Sequence, residues 1–191
     1  MEFALVLRPT LENQPVGTHV NAVGVISRAE SPLDYLQPQD PTREYTIYFS
    51  GLVSLGTTTT GSPGARTYST AYSGGTIEIY EDLTPDHEFS MFPPNATVPS
   101  TFVDGVLMVQ GGVWILRVVT NDFSSSQVDG ASGDLWFEGL RNCLTEIAGT
   151  LNWGPDAIAP GYLLGDDGGI PMDCADPAGS TTWGRIKANY H

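Results

Sequence analysis

Along most of the chain apolar residues alternate with polar ones, the period expected of strands that bury one face. Phe3, Leu5 and Leu7 alternate in the opening segment, and Val20, Ala22 and the VGVI run to Ile26 mark a second strand. The acidic segment AESPLDYLQPQDPTRE follows, and its three prolines exclude a central strand because proline has no N–H to give to a ladder. Glu44 to Leu55 reads as a third strand, with Tyr45, Ile47 and Phe49 on one face and Thr46 and Tyr48 on the other. GTTTTGSPGA then reads as a hairpin-like connection.

Thr67 to Tyr72 and Thr76 to Tyr80 are the next strands, joined by Ser73-Gly74-Gly75, a tight link that tolerates positive φ. Phe102 to Gln110 and Val113 to Thr120 form the most apolar pair, with Gly111-Gly112 between them as a two-residue hairpin turn. Asp134 to Gly149 fits two descriptions. Trp136, Leu140, Cys143 or Leu144, and Ile147 make a helical stripe that Asp134 could cap, whereas Gly139, Asn142 and Cys143 are poor helix-interior residues and leave two strands as the alternative. Thr150 to Trp153 is a further strand, and 154–191 is read as coil tied to the core, with a last short strand at Trp183 to Ile186. The expected architecture is all-β: one domain over 1–191, an antiparallel β-sandwich or jelly-roll-like fold with at most one or two short helices.

Composition narrows the partners. With 40% hydrophobic residues among 191, the chain can bury one substantial core. Eight basic against 22 acidic residues give a net charge of -14, a field that repels phosphate backbones and anionic headgroups. Nucleic acid is therefore excluded as an expected partner, and cations, neutral glycans and proteins are favoured. No apolar run reaches the roughly 18 residues of a membrane-spanning helix, so no membrane insertion is expected. The opening MEFALVLRPT has the pattern of a strand rather than of a signal peptide, so any export signal is expected to lie outside this sequence. Cys143 and Cys174, separated by 30 residues in an acidic chain rich in Gly, Thr and Ser, are read as a disulfide.

Candidate chemistry concentrates between Thr76 and Gly105. Glu78, Glu81, Asp82 and Asp86, with Asp104 beyond, offer the hard carboxylate oxygens that calcium prefers, and a second acidic run holds Asp166 and Asp167. Neither stretch has the fixed D-x-D-x-D-G spacing of a calcium loop, so a solvated acidic loop is the competing reading. Tyr48, Tyr72 and Tyr80 would make a flat stacking platform for a glycan if they shared one solvent face. Carboxylate pairs such as Glu78 with Asp104, or Glu138 with Glu146, could in principle serve polysaccharide hydrolysis. The chain has no G-x-S-x-G elbow, and its three histidines are widely separated. A self-assembling subunit is a further possibility if Val106 to Val109 and Val113 to Val119 present an unprotected edge.

The segment YSGGTIEIYED from Tyr72 to Asp82, then PSTFVDGVL from Pro99 to Leu107, with GTLNW from Gly149 to Trp153 downstream, resembles a recurring pattern of secreted, β-rich bacterial proteins of the PEP-CTERM-associated type. The resemblance covers about a quarter of the chain and consists of strand and turn chemistry. It implies an exported, extracellular protein of uncharacterised activity and carries no active-site residues with it. The combined expectation is a secreted, non-catalytic structural or binding module, with calcium as the candidate stabilising ion.

Overall fold

The computed structural model describes residues 2–8, 14–30, 33–88, 100–121, 129–137, 143–152, 164–169 and 172–174. The described strands are β1 (Glu2–Arg8), β2 (His19–Arg28), β3 (Glu44–Ser62), β4 (Ala65–Ser73), β5 (Thr76–Asp82), β6 (Val106–Asn121), β7 (Asp129–Phe137), β8 (Cys143–Asn152), β9 (Leu164–Gly169) and β10 (Met172–Cys174). Among the described residues a 3-10 turn spans Ser100–Phe102. The all-β, antiparallel class expected from the alternation holds.

All ten described strands belong to one sheet, and strands adjacent in the chain pair with each other except β4 with β5 and β9 with β10. The pairings also return on themselves, since β1 pairs with β2 on one side and β9 on the other, and β9 pairs with β8. The strand order is therefore that of an up-and-down meander closing into a ring. The crossing connections of a jelly roll, and a division into two sheets, are not found among the described strands.

The two Gly-Gly pairs that read as turns in the sequence do not reverse the chain, and the hairpin read at GTTTTGSPGA turns only near its end. β4 and β5 both run antiparallel to β3, end to end, so the chain passes through Gly74-Gly75 without reversing. β6 likewise runs unbroken through Gly111-Gly112, and β3 continues through the threonine run to reverse only at Pro63-Gly64. What happens at the first site is a change of face. The inward residues are Tyr45, Ile47 and Phe49 and then Leu52 and Ser54 in β3, Thr70 and Tyr72 and then Ile77 and Ile79 in β4 and β5, and Val109 and Val113 and then Leu116 and Val118 in β6. Each strand gains one residue at the same level, near Gly51, Gly74-Gly75 and Trp114. An extra residue on a strand bends it and increases its twist, and three in register coil the sheet toward closure.

The glycines at this level meet a steric need. Gly75 has φ of 91°, and a Cβ there would lie 2.5 Å from the Ser50 carbonyl oxygen. Gly74 also has positive φ, but a Cβ there would meet nothing within 4 Å. Gly75→Ala is therefore expected to lower the urea midpoint by more than Gly74→Ala, each carrying about 1 to 3 kcal/mol of backbone strain and only the first a backbone clash. Equal midpoints would remove the close approach as a cause.

The core includes Ile47, Phe49, Leu52, Ile77, Ile79 and Leu116, all fully buried. Leu33 and Leu36 of the proline-bearing loop are also buried in it, so that loop folds inward over one end of the sheet through successive turns. Asp134 to Gly149 takes the two-strand form where it is described, as the end of β7 and most of β8. Part of 154–191, read as coil, is strand: β9 and β10 pair in turn with β8. The expected strand at Trp183 to Ile186 lies outside the described residues.

β6 is bounded by β5 and β4 on one side and by β7 from Gly111 to Val119 on the other. The edge expected at Val113 to Val119 is therefore paired, and Val106 to Val109 is paired along its β5 side.

Candidate metal centre

The site is built where β3 begins and β5 ends. Glu44 and Asp82 stand directly opposite in the β3–β5 register, so their carboxylates share the outward face of the sheet. The chain leaving β5 turns at once, with Asp82 Oδ1 accepting the Thr84 N–H at 2.7 Å. The following segment then curls back over the start of β3. Glu44 Oε1 accepts the backbone N–H groups of Asp86 and of His87, each at 2.9 Å, and Glu44 Oε2 lies 2.5 Å from His87 Nδ1. Glu44 is only 6% exposed, so these bonds replace the water its carboxylate has lost.

A cover holds this arrangement in place. Phe102, fully buried at the end of the 3-10 turn, accepts the Thr46 hydroxyl on its carbonyl at 2.9 Å. Its ring meets the His87 ring edge-on, with centroids 6.2 Å apart. The Thr101 hydroxyl accepts the Glu88 N–H. Gly105 allows the return to β6, because a Cβ there would lie 2.7 Å from the Glu81 carbonyl carbon.

One carboxylate oxygen from each of Glu44, Asp82 and Asp86 lies within 4.8 Å of the other two. Oxygens on opposite sides of a calcium ion, each about 2.4 Å from it, are separated by about that much. The three oxygens can therefore reach a common cation. Burial, then the negative charges of Asp104, Asp82 and Glu44, push the Asp86 carboxyl above its ordinary value, and His87 offsets only part of this. The charges at this corner repel one another, and a cation or a proton relieves them.

Of the expected calcium ligands, Asp82 and Asp86 are brought together, and Asp104 lies close enough for its charge to act on Asp86. Glu81 is not part of the cluster. It alternates to the inward side, where its Oε1 accepts Tyr45 OH at 2.7 Å and pairs with Arg43 at 2.5 Å. Those two partners hold its carboxyl below the usual range. Glu78 lies farther along β5, bound to Tyr80 OH at 2.9 Å and opposite Gln110 rather than beside Asp104. Asp166 and Asp167 are ladder residues of β9 paired with β1, and not part of an irregular loop. Glu138 lies outside the described residues. Glu44 was missed because it is far from Asp82 in sequence and sits at the end of a segment read as an acidic loop.

The tyrosine platform is likewise revised. Tyr48 and Tyr80 are outward and partly exposed, whereas Tyr72 is fully buried in the core, where burial pushes its hydroxyl to about 12. The change of face at Gly74-Gly75 separates Tyr72 from the other two.

No family model, no curated protein and no solved structure matches the chain. No helix among the described residues is long and apolar enough to cross a membrane.

Proposed function

We propose that this protein is a non-catalytic extracellular module, structural or ligand-binding, in which calcium held by Glu44, Asp82 and Asp86 fastens the segment after β5 to the start of β3. The observation that carries this reading is the convergence of three carboxylate oxygens within 4.8 Å on two paired strand ends and the turn that follows them. Carboxylate oxygens suit calcium, and because Glu44 Oε1 already accepts two N–H groups, the Glu44 oxygen with a lone pair to spare is Oε2. The extracellular setting rests on the resemblance to exported β-rich proteins and on the proposed disulfide between Cys143 and Cys174.

Thermal melts test this. Calcium at about 100 times its dissociation constant stabilises by about 2.7 kcal/mol, which for a chain of this size raises Tm by about 5 to 10 °C. Chelator should reverse the rise, and Asp82→Asn and Asp86→Asn should each abolish most of it. A Tm unmoved by calcium, or a rise that both variants retain, would count against the reading.

A further inference from the structure

A second feature lies on the same outward face, farther along β5. Glu78 stands directly opposite Tyr48 of β3 on one side and Gln110 of β6 on the other. Tyr80, two residues on, donates its hydroxyl to Glu78 Oε2 at 2.9 Å. On β6, Met108 lies two residues before Gln110 and Trp114 four residues after it, and they are 36% and 59% exposed. The result is a carboxylate set among aromatic and thioether surface, with no arginine, lysine or histidine paired to it among the described residues.

We propose that this face docks a lysine or arginine side chain of a basic partner protein, its cationic head on Glu78 and its methylenes across Tyr48 and Tyr80. The proposal rests on the reading of the chain as a binding module but not on its calcium site. Charge complementarity decides the class of occupant. A neutral sugar would cover Glu78 without meeting its charge, whereas a cation gains both the carboxylate and the negative faces of the rings. The net charge of -14 draws basic partners to this surface from a distance. Burial, the bond to Glu78 and the charges of Glu78 and Tyr48 push the Tyr80 hydroxyl to about 12, so it remains a donor and holds the carboxylate in place.

An octalysine peptide is the probe, titrated into the protein in the presence of chelator, with Glu78→Gln, Trp114→Ala and, as a charge-matched control, Asp34→Asn. Thermal melts establish that each variant is folded. The expected result is a loss of at least tenfold in affinity for Glu78→Gln, several-fold for Trp114→Ala, and little change for Asp34→Asn. Equal losses in Glu78→Gln and Asp34→Asn would show general attraction to an acidic surface and overturn the proposal. So would wild-type affinity in both Glu78→Gln and Trp114→Ala. Cellohexaose binding more tightly than octalysine, and unaffected by Glu78→Gln, would overturn it in favour of a neutral glycan. Because chelator is present throughout, failure here leaves the calcium response of the melts as a separate result.

Discussion

Phe102→Ala is expected to cost about 3 to 5 kcal/mol of stability and to remove the calcium response along with it. Phe102 is fully buried yet lies outside the main core cluster, on the outward side of the sheet against Thr46 and His87. Truncating it leaves the interior packing of Ile47 and Phe49 in place while opening a cavity beneath the Asp86–His87 segment. That segment also depends on bonds to Glu44, which would then meet water. Phe102→Leu keeps most of the volume and should cost less than about 1.5 kcal/mol, with calcium stabilisation retained. Urea unfolding with and without calcium measures both effects. A calcium response of wild-type size in Phe102→Ala would show that the aromatic cover does not position the carboxylates.

Removing the proposed disulfide between Cys143 and Cys174 is expected to lower stability by about 3 to 4 kcal/mol. The β8–β10 register places the two residues directly opposite each other, the backbone arrangement a cross-strand disulfide requires. With 30 residues between them, cross-linking removes about that much chain entropy from the unfolded state. The same bond would anchor the end of β10 to the start of β8. Thiol titration in denaturant without reductant should find no reactive thiol, and Cys143→Ser with Cys174→Ser should unfold at correspondingly lower urea. Two reactive thiols in the untreated protein would dismiss the disulfide and weaken the case for export.

The strand content was legible because alternation is a local property, as in Glu44 to Phe49 and Thr76 to Tyr80. What misled was glycine. Gly-Gly pairs suit both a tight turn and a bulge, and the deciding signal was the parity of the apolar residues on either side. Tyr72 and Ile77 are separated by an odd number of positions, which an uninterrupted strand cannot place on one face, and this fits an inserted residue within a strand that continues. The same shift moves Tyr72 into the core and leaves Tyr80 outside. Glu44 was hidden for a related reason, because its place opposite Asp82 depends on where the β3 hairpin turns. Counting outward from Pro63-Gly64 pairs the two once the bulge between Ser54 and Thr57 is allowed for. The Glu81 error was one of alternation overlooked: Asp82 and Glu81 are neighbours and so face opposite ways. β9 was not legible, because LGDDGG has neither alternation nor β-branched residues and owes its place to pairing with β1 and β8.

The pH dependence of the acidic corner has a definite sign. The Asp86 carboxyl is raised in the folded protein, so folding favours its protonated form and stability falls as pH rises through the range just above the ordinary aspartate value. Calcium competes with that proton, and its affinity should rise over the same interval. Calorimetric titration of calcium into the protein at about pH 7 and about pH 4.5 is the most direct measurement. One ion per chain, bound more weakly at the lower pH and lost in Asp82→Asn, is the predicted result. No binding heat at either pH, or an isotherm that Asp82→Asn leaves unchanged, would contradict the assignment of Glu44, Asp82 and Asp86 as a calcium site.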